Sequence, residues 1–79
     1  MSREEIYLKL NEVFRDVFDR DDITLSDETT AADVEGWDSL IHITLMDAVE
    51  EEFEIRFDMK TVVKMKNVGE LADAIEKLL

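Results

Sequence analysis

The stretch Gly36-Trp37-Asp38-Ser39-Leu40 divides the chain. Before it lies a run rich in turn-forming residues, and after it a strongly acidic amphipathic segment. Gly36 allows a flexible approach. Asp38 is a good helix N-cap, because its carboxylate can accept the free backbone N–H groups of a first turn. Ser39 then falls at the first or second helical position, where those N–H groups and the helix dipole favour negative charge. A phosphate ester would be stabilised there, which makes Ser39 a candidate attachment point for a phosphate-linked group.

Working downstream, the helical period holds from Ser39 to Phe53. His42, Leu45, Met46, Val49 and Phe53 share one face and are the expected core stripe. Leu40, Ile43, Thr44, Asp47, Glu50 and Glu51 fall on the opposite face. Isolated apolar residues on a surface are ordinary. Leu40 and Ile43, however, are i,i+3 neighbours bordered by carboxylates, so Leu40, Ile43, Asp47, Glu50 and Glu51 are expected to form a docking patch with an apolar centre and a charged rim.

The flanking segments follow the same period. Ser2 with Glu5 forms a capping box that opens a helix at about residues 3–18, with Ile6, Leu10, Val13, Phe14 and Val17 on one stripe and Phe18 at its end. Residues 19–37 keep no period. So long a loop needs anchors, and Ile23, Leu25, Val34 and Trp37 are the expected ones. After the crossing Ile55-Arg56-Phe57, Asp58 can cap a brief third helix to about Val63, with Met59, Val62 and Val63 facing inward. A fourth helix starts at Asn67 or Val68, and its stripe is Val68, Leu71, Ala72, Ile75, Leu78 and Leu79. No β-branched run alternates long enough to read as a strand. The expected fold is all-α: one domain over 1–79, a small four-helix bundle of three long helices and a short third one, with a long loop between the first two.

Composition narrows the function. The chain has 79 residues, an apolar share of 46% and no Cys, so an apolar core without disulfides must hold it. Nine Lys and Arg against 21 Asp and Glu give a net charge of −12. That balance argues against nucleic acid, whose phosphates need a basic footprint, and favours basic protein partners drawn in over long range. No apolar run suits a membrane span and Met1-Ser2-Arg3-Glu4-Glu5 does not read as a signal peptide, so a cytoplasmic monomer is expected.

Two chemistries are set aside. A serine hydrolase needs a base and an orienting group. The sole histidine, His42, lies on the core stripe three residues from Ser39, and no Gly-x-Ser-x-Gly elbow is present. A calcium loop fits Asp19, Asp21 and Asp27, but Ile23, Thr24 and Thr30 stand where a ligand, the turn glycine and the bidentate Glu belong. No catalytic residue and no metal site is expected.

The chain resembles the acyl carrier proteins and related carrier domains. The resemblance rests on Gly36-Trp37-Asp38-Ser39-Leu40 at the start of the second helix and on Ala48-Val49-Glu50-Glu51-Glu52-Phe53 with Ile55 following. It extends over essentially the whole chain. It implies a non-enzymatic shuttle in which Ser39, flanked by Asp38 and Leu40, carries 4′-phosphopantetheine taken from coenzyme A by a phosphopantetheinyl transferase. An acyl or aminoacyl group then rides on the arm's thiol as a thioester. The chain has no thiol of its own, and a long tether lets one cargo visit several active sites at high effective concentration. Implied partners are acyl-activating, condensing or acyltransferase enzymes with basic docking patches. His42, Leu45, Phe53, Ile55 and Val62 are implied to line an acyl pocket between the second and third helices. Fatty-acid-synthesis carriers commonly have acidic residues where this chain has Ile41 and Thr44, often Met at Asp47 and often Thr at His42. Those departures, with Trp37, point to a specialised polyketide, lipid or similar route. An aminoacyl or peptidyl carrier, such as a D-alanyl carrier, and an unmodified acidic interaction module remain the alternatives.

Overall fold

In the computed structural model, which describes residues 1–79, the order is α1 (Arg3–Phe18), a 3₁₀ turn (Ala31–Asp33), α2 (Ser39–Phe53), α3 (Met59–Lys64) and α4 (Val68–Leu78). The all-α expectation holds, and so do the limits of α1 and α2. Both starts are set by side chains. Ser2 Oγ accepts from the Glu5 N–H at 3.2 Å, and Glu5 returns the bond to the Ser2 N–H at 2.9 Å. This box holds the Glu5 carboxyl below its usual value. Asp19 ends α1 in the left-handed region with φ 53°, a conformation Asp tolerates.

The loop from Asp19 to Asp38 has no ladder of its own, so its backbone groups find partners on the helices. Asn11 Oδ1 accepts from the Leu25 N–H at 2.9 Å, and Arg15 Nε donates to the Ile23 carbonyl at 2.8 Å. These two α1 residues hold the loop in the register that buries Ile23 and Leu25. From the other side, the Val68 N–H donates to the Thr29 carbonyl at 2.8 Å and the Gly69 N–H to the Asp27 carbonyl at 3.0 Å. The first free donors of α4 are thereby satisfied by the loop rather than by water. The approach is close. A Cβ on Gly69 would lie 2.8 Å from the Asp27 carbonyl oxygen, which is why a glycine stands in a helical first turn.

Arg3 closes this seam. Its guanidinium pairs with Asp27 at 2.8 Å, with Asp73 at 2.7 Å and with Glu76, and it reaches the Gly69 carbonyl at 3.3 Å. The Tyr7 hydroxyl also donates to Asp27. Hydrogen bonds from Tyr7 and then from Arg3 hold the Asp27 carboxyl below its usual range. Burial, and then the Asp27 carboxylate, push the Tyr7 hydroxyl up.

The core gathers fifteen buried apolar residues from α1, α2, α4 and the loop, with Phe14, Ile6, Leu10 and Leu45 fully enclosed. It holds no buried polar side chain. Ile23, Leu25 and Val34 enter it as anchors, and Trp37 packs against it half-buried. The third helix has no buried residue in it, and only its Val62 packs against it. Met59 and Val63, expected to face inward, are 75% and 77% exposed, and only Val62 is half-buried. Six residues are under two turns, too few to present an apolar stripe at helical spacing. Leu78 and Leu79 are likewise exposed, because they lie past the turn in which Ile75 is the last residue to reach the core. Val17 is half-buried rather than enclosed. No helix is long and apolar enough to cross a membrane.

Two outcomes test the seam between loop and α4. Gly69→Ala raises intrinsic helix propensity by about 1 kcal/mol. The clash with backbone at Asp27 should nevertheless win and lower stability by roughly 1–3 kcal/mol in urea unfolding; a stabilised variant would mean the approach is looser than described. Asp27→Asn probes the ion pairs. Because the folded-state value of Asp27 is depressed, its contribution is complete above the ordinary Asp value of about 3.9 and is lost as pH falls through the lower folded value. The stability gap between wild type and Asp27→Asn should therefore be widest near neutrality and close on acidification. A gap independent of pH would exclude the carboxylate as its source.

Candidate functional site

The Ser39 region is built by anchoring the residues on either side of it. Upstream, the Trp37 N–H donates to the Val34 carbonyl at 3.2 Å. The Trp37 ring meets Phe14 edge-on at 5.3 Å and Phe18 at 6.3 Å between centroids. Such aromatic pairs add about 0.5–1.5 kcal/mol beyond area burial. Between Val34 and Trp37 the chain turns through Gly36 at φ +91°, a conformation natural only to glycine. Downstream, Asp38 caps α2 as expected. Its backbone is extended, Oδ1 accepts from the Ile41 N–H at 2.8 Å, and its carbonyl accepts from the His42 N–H at 2.9 Å.

This leaves Ser39 exposed on an immobilised turn. Its hydroxyl has no protein partner, and the N–H groups of Ser39 and Leu40 are likewise unpaired, two of the four orphan donors of a helix start. A phosphodiester on this oxygen would find two backbone donors and the positive end of a fifteen-residue helix. The residues present therefore fit a phosphate-linked group.

His42 is not on the core stripe. It is half-buried beside the core, its ring stacked on Trp37 at 5.8 Å, and both nitrogens are engaged. Trp37 Nε1–H donates to Nδ1 at 3.0 Å, and Nε2 lies 3.1 Å from the Val62 carbonyl. Neither nitrogen is free to take a proton from the Ser39 hydroxyl.

A groove of about 720 Å³ opens beside Ser39 and runs between α2 and the segment carrying α3. Ser39, His42, Ile43 and Glu50 mark its α2 side, and Met59, Val62 and Val63 its α3 side. Of the five residues expected to line an acyl pocket, His42 and Val62 border this groove. Leu45 is fully buried in the core and does not border the groove. Phe53 is buried at the α1 contact, with the Lys9 ammonium 5.9 Å from its ring centroid. Ile55 is half-buried and borders a separate shallow depression with Glu51 and Glu54. Met59 and Val63 border the groove as well, together with Arg56 and Lys66. The Asp58 cap and the Lys64 and Lys66 charges bracket so short a helix that exposure of Met59 and Val63 was the signal available.

On the outer face, Leu40 is 80% and Ile43 58% exposed, and Asp47 and Glu51 are exposed beside them. Glu50 differs. It is half-buried, and its Oε2 accepts from the Phe57 N–H at 2.7 Å, which ties the crossing after α2 back onto the helix.

Known proteins share this chain's family and fold. A family model described as a phosphopantetheine attachment site matches residues 9–75. An acyl carrier protein from Thermotoga maritima is 32% identical over 78 residues, spanning 99% of this chain and 96% of the relative. The solution structure of a holo acyl carrier protein from Geobacter metallireducens superposes with a TM-score of 0.82 at 45% identity, over 87% of this chain and 79% of that one. An exposed, partnerless serine at a capped helix start, in a helical bundle matched along nearly its full length, places this chain in the acyl carrier protein family, whose prosthetic group is 4′-phosphopantetheine.

Proposed function

We propose that Ser39 is the oxygen to which 4′-phosphopantetheine is joined, and that the chain carries acyl intermediates between the enzymes of a specialised polyketide, lipid or related biosynthetic route in the cytoplasm. The observation that carries this reading is the pairing state at the start of α2: a free Ser39 hydroxyl beside the unpaired N–H groups of Ser39 and Leu40. The prosthetic group supplies a thiol on which an acyl group is held as a thioester. The chain's own residues do the rest. Asp38 fixes the first turn, Trp37 pins the approach, and Ser39 is presented to a phosphopantetheinyl transferase without rearrangement.

Leu40, Ile43, Asp47, Glu50 and Glu51 form the face that enzymes with Arg and Lys patches would read. Glu50 offers less than its neighbours, since one of its oxygens is committed to Phe57. Carriers must leave each enzyme after delivery, so charge-steered encounter around a small apolar centre suits them better than a large interface. The specialised route is supported by the same helix: Ile41 is half-buried and Thr44 exposed and neutral, so the charge pattern differs from that of fatty-acid-synthesis carriers.

Incubation with coenzyme A and a broad-specificity phosphopantetheinyl transferase should add one phosphopantetheinyl group by intact mass, and Ser39→Ala should abolish the gain. No gain in wild type, or a gain that persists in the variant, would sink the assignment. For the docking face, Leu40→Ala and Glu51→Lys should each lower kcat/KM of a cognate enzyme roughly tenfold while leaving helicity by circular dichroism intact. Normal turnover with both variants would remove the patch from the reading.

A further inference from the structure

The groove beside Ser39 has one firm wall and one loosely held wall. None of the six residues of α3 is buried. From Asp58 to Met65 every hydrogen bond is local to the segment except one, and no ion pair reaches it. The exception is the bond between His42 and the Val62 carbonyl. That carbonyl is one of the last four of its helix, which have no partner within it, and His42 satisfies it.

The direction of the bond follows from the other side of the ring. An indole N–H can only donate, so Nδ1, 3.0 Å from Trp37 Nε1, is the acceptor and carries no proton. The ring proton is therefore on Nε2, which donates to Val62. A single chain of donors runs from Trp37 on the attachment loop, through His42 on α2, to Val62 on α3. Its first member is itself wedged against Phe14 and Phe18.

We infer that His42 is a positioning residue: it latches α3 to the loop that presents Ser39 and thereby sets how readily the groove opens to a tethered cargo. The cargo half of this inference rests on the carrier reading above; the latch does not. A neutral hydrogen bond of this kind is worth a factor of roughly three to ten in an equilibrium. If cargo enters only when α3 is displaced, its apparent affinity for the groove scales with the fraction displaced. Releasing the latch should raise both by the same factor.

His42→Asn is the informative variant. It keeps a polar acceptor near Trp37 but is too short to reach Val62, whereas His42→Gln is long enough to donate to that carbonyl. Nitrogen-15 spectra of the wild-type ring should show the proton on Nε2. In hydrogen exchange, His42→Asn should speed the α3 amides about three- to tenfold while α1 and α4 stay unchanged, and His42→Gln should restore protection. Unchanged α3 exchange, an equal loosening of all helices, or a proton on Nδ1 would overturn the latch. The cargo half is read on protein loaded from hexanoyl-coenzyme A. Contacts between the hexanoyl chain and Val62 should strengthen by the same factor in His42→Asn, and equal contacts in both proteins would overturn it. Failure to load at all removes the carrier reading and leaves the exchange result standing.

Discussion

Everything in this structure depends on how the loop from Asp19 to Asp38 is paid for in hydrogen bonds. A loop of that length inside so small a bundle exposes more backbone than it can satisfy with its single 3₁₀ turn. The helices meet the demand from both sides. Asn11 and Arg15 take the strand of loop that buries Ile23 and Leu25, and the first two N–H groups of α4 take the carbonyls of Thr29 and Asp27. Gly69 makes the second contact possible, and Arg3 and Tyr7 gather on the Asp27 carboxylate to hold it. With its first half docked this way, the loop delivers Val34, Gly36 and Trp37 to fixed places, and Asp38 starts α2 where Ser39 is presented.

The charge of −12 is distributed to the same end. Like charges on a compact chain repel, and Arg3 relieves part of this by collecting Asp27, Asp73 and Glu76. Lys9 takes Glu52 at 3.5 Å, at the edge of α2 away from the groove. The carboxylates of Asp47 and Glu51 are left without a cation in the protein. Unpaired acidity is spread along the chain, and these two carboxylates are part of its share on the helix that begins at Ser39. A surface that keeps its own charges unspent can offer them to a partner.

Much of this was legible in the residues. The limits of α1 and α2 were readable because Ser2, Glu5 and Asp38 are explicit caps, and the caps act locally. The loop anchors were readable as the only large apolar residues between two polar runs. What could not be read depends on tertiary approach. Nothing local marks Asn11 or Arg15 as loop binders, since their partners lie 14 and 8 residues away. A helical wheel put His42, Leu45 and Phe53 on one face and could not separate the core from the groove beside it. It also assigned Met59 and Val63 inward, because two turns' worth of pattern was sought in a helix that has fewer. The bond from Trp37 to His42 spans a helix start, where neither helical nor strand periodicity applies.

The exclusion of α3 from the core has a consequence for how such a chain can change. Substitutions in α1, α2 or α4 meet enclosed neighbours and are tested at once by stability, whereas Met59, Val63 and the lysines around them meet mostly solvent. One wall of the groove is thus nearly exempt from the constraint of folding. Descendants of this sequence can retune what the groove accepts by altering that wall, while the scaffold that presents Ser39 is inherited intact.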